Sequence, residues 1–97
     1  MRIISRRTLK DFWQNHRDAE EPLKAWFDEA EKAEWRSFND LKSHFGSCSL
    51  VGNNRVVFNI KGNKYRLIAK MLFGKGKGYI RFIGTHKEYD KINAKTI

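Results

Sequence analysis

The chain has 97 residues, 40% of them hydrophobic, and its 20 Lys/Arg outnumber 11 Asp/Glu to give a formal net charge of +9. This length accommodates one hydrophobic core, so a single intracellular, cytoplasmic domain over residues 1–97 is expected, and the apolar content excludes global disorder. Apolar runs such as Leu67–Ala69 and Met71–Phe73 are too short to span a membrane, the first seven residues lack a signal-peptide core, and the lone Cys48 excludes an internal disulfide or a cysteine-cluster zinc site.

Arg2–Ile4 reads as a short edge strand, after which Ser5 caps a helix. Leu9, Phe12, Trp13 and His16 recur at the spacing of one buried helical stripe. A polar break at Arg17–Asp18 follows, and Pro22 suits the first turn of a second helix whose stripe is Leu23, Trp26, Phe27 and Ala30. Glu20–Lys24 and Asp28–Lys32 are i, i+4 pairs on its wet side. Ser37 with Asp40 opens a shorter helical turn that points Phe38, Leu41 and Phe45 inward, and Gly46 ends it. Trp13 and Trp26 read as interior, whereas Trp35 is a candidate for a partner-facing residue.

From residue 47 the apolar period changes to two. Val56, Phe58 and Ile60 form one face of a strand, Gly62-Asn63 a two-residue turn, and Tyr65, Leu67, Ala69, Met71 and Phe73 one face of the next. Gly74–Gly78 reads as a hairpin tip, and Tyr79–Gly84 as a last strand with Ile80 and Phe82 inward. Thr85 and Glu88 carry the spacing of a capping box, which starts a short terminal helix. The expected fold is therefore α+β: two N-terminal helices on a twisted antiparallel sheet, with a short C-terminal helix.

Charge divides unevenly along this layout. Residues 1–50 hold nine basic and nine acidic side chains, and residues 51–97 hold eleven basic against Glu88 and Asp90 alone. Clustered cations repel one another unless an anion neutralises them, so nucleic acid is the first partner to consider and a membrane the last. The turn register sets Asn59 opposite Arg66 and Lys61 opposite Lys64. Alternation then collects Asn59, Lys61, Lys64, Arg66 and Lys70 on one face without an acidic residue, and Arg81 joins them. Beside this face, His86 and Tyr89 share one side of the terminal turn. Histidine suits proton transfer in both directions near neutral pH. Glu88 and Thr85 read as capping residues and Asp90 as a supporting one. His16, His44 and His86 lie too far apart in sequence to suggest a metal site, and Gly74–Gly78 lacks the phosphate-loop pattern. No cofactor is implied.

The strings Phe58-Asn59-Ile60-Lys61-Gly62-Asn63-Lys64-Tyr65-Arg66-Leu67-Ile68 and Gly84-Thr85-His86-Lys87-Glu88-Tyr89-Asp90 resemble the HigB family of bacterial toxins, within the RelE/ParE superfamily. The opening Ile3-Ile4-Ser5-Arg6-Arg7 is similar to that family's first strand and helix. The resemblance implies a microbial-RNase-like fold and an mRNA interferase that cuts mRNA at the ribosomal A site. It implies silencing by a cognate HigA-type helix-turn-helix antitoxin, through which alone operator DNA would be bound. By the resemblance Arg66 matches the strand arginine that holds the scissile phosphate, and His86 and Tyr89 match the proton-transfer region. Arg81 is assigned with Arg66 to phosphorane charge, and Asn59, Lys61, Lys64, Lys70 and Lys87 to RNA binding. Which group is base and which acid stays open, and so does a gyrase-inhibiting or RNA-binding, non-nuclease alternative on the same fold.

Overall fold

Apolar periodicity decides the layering. A computed structural model describes residues 1–97, in the order β1 (Arg2–Ile4), α1 (Arg6–Asn15), α2 (Glu20–Lys32), α3 (Phe38–His44), β2 (Cys48–Gly52), β3 (Arg55–Ile60), β4 (Tyr65–Leu72), β5 (Lys77–Thr85) and α4 (His86–Tyr89). The five strands form one sheet in the order β1-β5-β4-β3-β2. Four strands run as an antiparallel meander, but β1 lies parallel to β5, with Ile3 opposite Gly78, so the sheet is mixed rather than purely antiparallel. The three helices and three strands that separate β1 from β5 supply the long connection that a parallel pair needs.

The helices cover one face. Leu9 and Trp13 of α1 and Leu23, Trp26 and Ala30 of α2 are buried with Val56, Phe58, Ile60, Tyr65, Leu67, Ala69, Met71 and Ile80 in one cluster. Trp26 meets Phe58 edge-on at 5.1 Å between ring centroids. Trp35 belongs to this interior as well, 4% exposed, which corrects its candidacy as a partner-facing residue. Its indole N–H donates to His44 Nδ1 (3.2 Å), and His44 Nε2 lies 3.0 Å from Glu29, so the tryptophan is held by a polar link that helical spacing does not reveal. Ser5 stands at the N-cap of α1 without a side-chain capping bond, whereas Ser37 Oγ accepts from Asp40 N–H at 3.3 Å.

Three local features depart from the sequence reading. First, β2 is an additional strand, joined to β3 by Asn53-Asn54, both at positive φ (+50° and +63°) as a tight hairpin of this hand requires. Its burial is irregular, with Leu50 half exposed, so no alternation announces it. Second, Met71–Gly78 and Leu72–Lys77 pair, so the glycine-rich tip contracts to a short 3₁₀ turn over Phe73–Lys75. Third, the β4–β5 ladder shifts between Ile68/Ala69: Ile68 pairs with Phe82 and Ala69 with Ile80. The extra residue, Arg81, inverts the alternation, so Ile83 packs on the core and Phe82 turns to the face away from the helices.

That second face is not open throughout. Asn53 donates to the Lys95 carbonyl (2.9 Å), and Arg55 and Arg81 both reach the Ile97 main-chain oxygen, at 2.8 and 3.2 Å. The segment after α4 thus crosses the sheet, and Val57 and Ile68, which alternate onto this face, are buried.

Candidate active site

Position along the ladder decides which polar groups can meet. Tyr65 pairs with Thr85 and Arg66 with Gly84, so the middle strand delivers Arg66 to the start of α4. Thr85 Oγ1 accepts from Glu88 N–H (3.2 Å), and the Glu88 carboxylate accepts from Thr85 N–H (2.8 Å), completing the capping box. The Thr85 backbone bond holds the Glu88 carboxyl below its usual pKa, so this side chain is a poor proton acceptor and a good cap. Gly84 is required for close packing here: a Cβ would lie 2.6 Å from Phe82 Cζ and 3.2 Å from Glu88 Cβ.

The single turn of α4 and its C-cap residue present Tyr89, His86 and Asp90. Tyr89 sits under the Arg66 guanidinium, with Arg66 Cζ 5.0 Å from the ring centroid, and Phe82 borders the same ring at 6.5 Å. His86 Nδ1 lies 3.1 Å from Asp90 Oδ2, one turn along, which leaves Nε2 without a protein partner. Arg66 forms no ion pair, and its Nε is buried without an acceptor. A half-buried guanidinium resting on a ring, unpaired, is a ready partner for an oxyanion. His86 is exposed and Arg66 and Tyr89 are half-buried, so the three groups stand open to solvent.

The other sequence-selected residues fall into separate places. Asn59 is opposite Arg66 as the register predicts, but its amide donates to Ser47 Oγ (2.9 Å) and so does not orient the arginine. Arg81 lies three residues before Gly84, about 10 Å down the strand from the level of Arg66. There it shares the Ile97 oxygen with Arg55, which itself pairs with Lys70 in the ladder. This second cationic group of Arg55, Lys70 and Arg81 is distinct from the Arg66 cluster. Arg55 was readable as an outward strand residue, but its link to the chain end is a long-range fact. Lys87 is exposed and unpaired.

Lys61 and Lys64 lie in the turn after β3, not on the strand face, and they are not free of acid. Asp18, from the link between α1 and α2, bonds Lys64 Nζ directly, lies 3.6 Å from Lys61 Nζ, and accepts from Tyr65 Oη at 2.5 Å. The expectation of a basic face without a carboxylate is thereby corrected. The Lys64 and Tyr65 bonds hold the Asp18 carboxyl well below the usual carboxylate range.

The sequence matches known proteins over most of its length. A family profile described as "HigB_toxin, RelE-like toxic component of a toxin-antitoxin system" matches residues 19–92. An "mRNA interferase toxin HigB" of Escherichia coli (strain K12) is 32% identical over 96 residues, covering 97% of this chain and 92% of its own length. An "mRNA interferase HigB" of Escherichia coli O157:H7 and one of Shigella flexneri match with the same identity and coverage. The matched span takes in every residue of the Arg66–His86–Tyr89 cluster as well as Asp18's neighbours in the link, and with that coverage the chain belongs to the HigB family of RelE-like toxins.

Proposed function

We propose that the protein is an mRNA interferase: an endoribonuclease that stops translation by cutting mRNA on the ribosome, at the A site, and that a HigA-type antitoxin neutralises. The observation that carries this reading is the unpaired Arg66 guanidinium seated on Tyr89 beside the His86–Asp90 pair. In the reaction the 2′-hydroxyl attacks the adjacent phosphorus and the 5′-oxygen leaves. The products are a 2′,3′-cyclic phosphate and a 5′-hydroxyl. Such a step needs one group to take the 2′-OH proton, one to protonate the leaving oxygen, and a cation for the charge gathered on the phosphorane.

Arg66 supplies that cation, and His86 and Tyr89 handle the two proton transfers. Asp90 fixes the ring of His86 through Nδ1, so that Nε2 faces the substrate. Lys61, Lys64, Lys70, Lys87 and Arg81 track the backbone on either side, with Asn59 at the strand end. The set is complete without a metal ion. The antitoxin grips the helix layer, where surface charges are mutually paired (Arg7–Asp11, Lys24–Glu20, Lys32–Asp28), and it carries the operator-binding surface of the complex. A DNA-binding antitoxin is itself basic and would be repelled by the cationic sheet face. The test is expression of the wild type and of Arg66→Ala in cells, with message ends mapped by primer extension. New 5′ ends are expected only with the wild type; intact messages accompanied by DNA breaks would contradict the reading.

A further inference from the structure

One carboxylate stands where three donors of the cationic surface converge. Asp18 takes Lys64 Nζ and Tyr65 Oη on its two oxygens, with Lys61 Nζ close behind at 3.6 Å. Asp18 comes from the helix layer and the donors from the far end of the β3–β4 hairpin, 46 residues away in the case of Lys64. The lysine side chains stay 46% and 57% exposed, against 30% for Asp18, so both ammonium groups keep a free approach from solvent. Two cations against one anion also leave the cluster with a residual positive charge. A carboxylate oxygen and a phosphate oxygen make the same demand on an ammonium group, and a phosphate adds a third acceptor. Lys64 stands two residues before Arg66, and Tyr65 pairs with Thr85, the residue before His86, so the lysines lie at the same end of the hairpin as the candidate active site.

We propose that Lys61 and Lys64 form a phosphate subsite for the RNA strand flanking the cut, and that Asp18, anchored by Tyr65 Oη, is its resident anion, which an incoming phosphate displaces from the lysines. This rests on the reading of the Arg66 face as the RNA-binding one. Asp18 thereby acts as a built-in competitor. Isolated phosphates find the seat taken, whereas a strand already held at Arg66 brings its next phosphates close enough to exchange. A merely structural strut makes the opposite forecast, since its loss would loosen the turn and weaken binding.

The experiment measures affinity for a 2′-O-methyl oligoribonucleotide, which lacks the attacking hydroxyl, as a function of salt. Asp18→Asn should bind several-fold more tightly than the wild type, with the slope of log K against log salt steeper by about 0.7 for each lysine released to a phosphate. In the Lys61→Gln/Lys64→Gln background the same substitution should change neither quantity. The double lysine variant alone should have a shallower slope than the wild type, which keeps the proposal testable if Asp18→Asn folds poorly. Equal or weaker binding by a folded Asp18→Asn protein, or an unchanged slope in the double lysine variant, would overturn the subsite. If the wild type cuts messages while either result holds, the subsite alone fails. If no variant binds the oligonucleotide and the wild type leaves messages intact, the interferase reading fails with it.

Discussion

Arg66 is held by an aromatic ring rather than by a carboxylate, and this sets what its replacement should do. Its guanidinium lies 5.0 Å above Tyr89 and has no acid to neutralise it, so removing it breaks no ion pair and costs the fold little. The loss falls on the reaction: Arg66→Ala should lower the cleavage rate by about 10²–10³, with the melting temperature nearly unchanged. Arg66→Lys should recover little of this, because an ammonium neither stacks on a ring nor offers a planar fork to a phosphate. Tyr89 separates two roles in the same way. Tyr89→Phe keeps the ring under Arg66 and removes only the hydroxyl, so it should retain substrate affinity and lose turnover, whereas Tyr89→Ala should lose both. Single-turnover rates against RNA concentration would resolve the two cases. Equal defects in the two variants would place the role in the hydroxyl alone.

At the scale of the element, α4 is one turn long and cannot be stable by itself. Its position depends on the capping box and on Phe82 against Tyr89. Thr85→Ala should therefore cost about 1 kcal/mol, concentrated in this turn. It should appear as reduced cleavage with a small shift in melting. Gly84→Ala should act more strongly on the same turn by pushing Phe82 away from its place near Tyr89. The capping box was fully legible in Thr85-His86-Lys87-Glu88, because a cap is local and its spacing is its signature. The helix stripes and the β3–β4 register were legible for the same reason. The facing of β5 was not: the sequence sets Ile80 and Phe82 against Arg81 and Ile83, and only the shift against Ile68/Ala69 brings Ile83 to the core in place of Phe82. Trp35, Asp18 and the Ile97 oxygen share this cause, each being placed by a partner that is remote in sequence or out of helical register.

For the whole molecule, charge governs stability and partner choice together. Asp18 and Glu88 both ionise below their usual values, held by Lys64 and Tyr65 in one case and by the Thr85 backbone in the other. A carboxyl whose folded pKa is depressed stabilises the fold above its unfolded pKa and loses that contribution as pH falls. The melting temperature should thus decline progressively below about pH 4.5, and more shallowly in an Asp18→Asn/Glu88→Gln protein. An equal decline in both would show that other groups control acid unfolding. RNA and antitoxin should also separate by salt. Binding of RNA to the cationic face should weaken steeply between about 0.1 and 0.5 M, where the screening length shortens. Antitoxin binding on the charge-paired helix layer should change little over that range, and a comparable loss would place the antitoxin on the sheet face instead.

The most direct test of the account is the chemistry of the cut ends. Messages from cells expressing the wild-type protein should carry 5′-hydroxyl and 2′,3′-cyclic phosphate ends at the cleavage sites, and those from cells expressing Arg66→Ala should carry none. Cut ends bearing 5′-phosphate and 3′-hydroxyl groups, or cleavage that persists undiminished without Arg66, would contradict it.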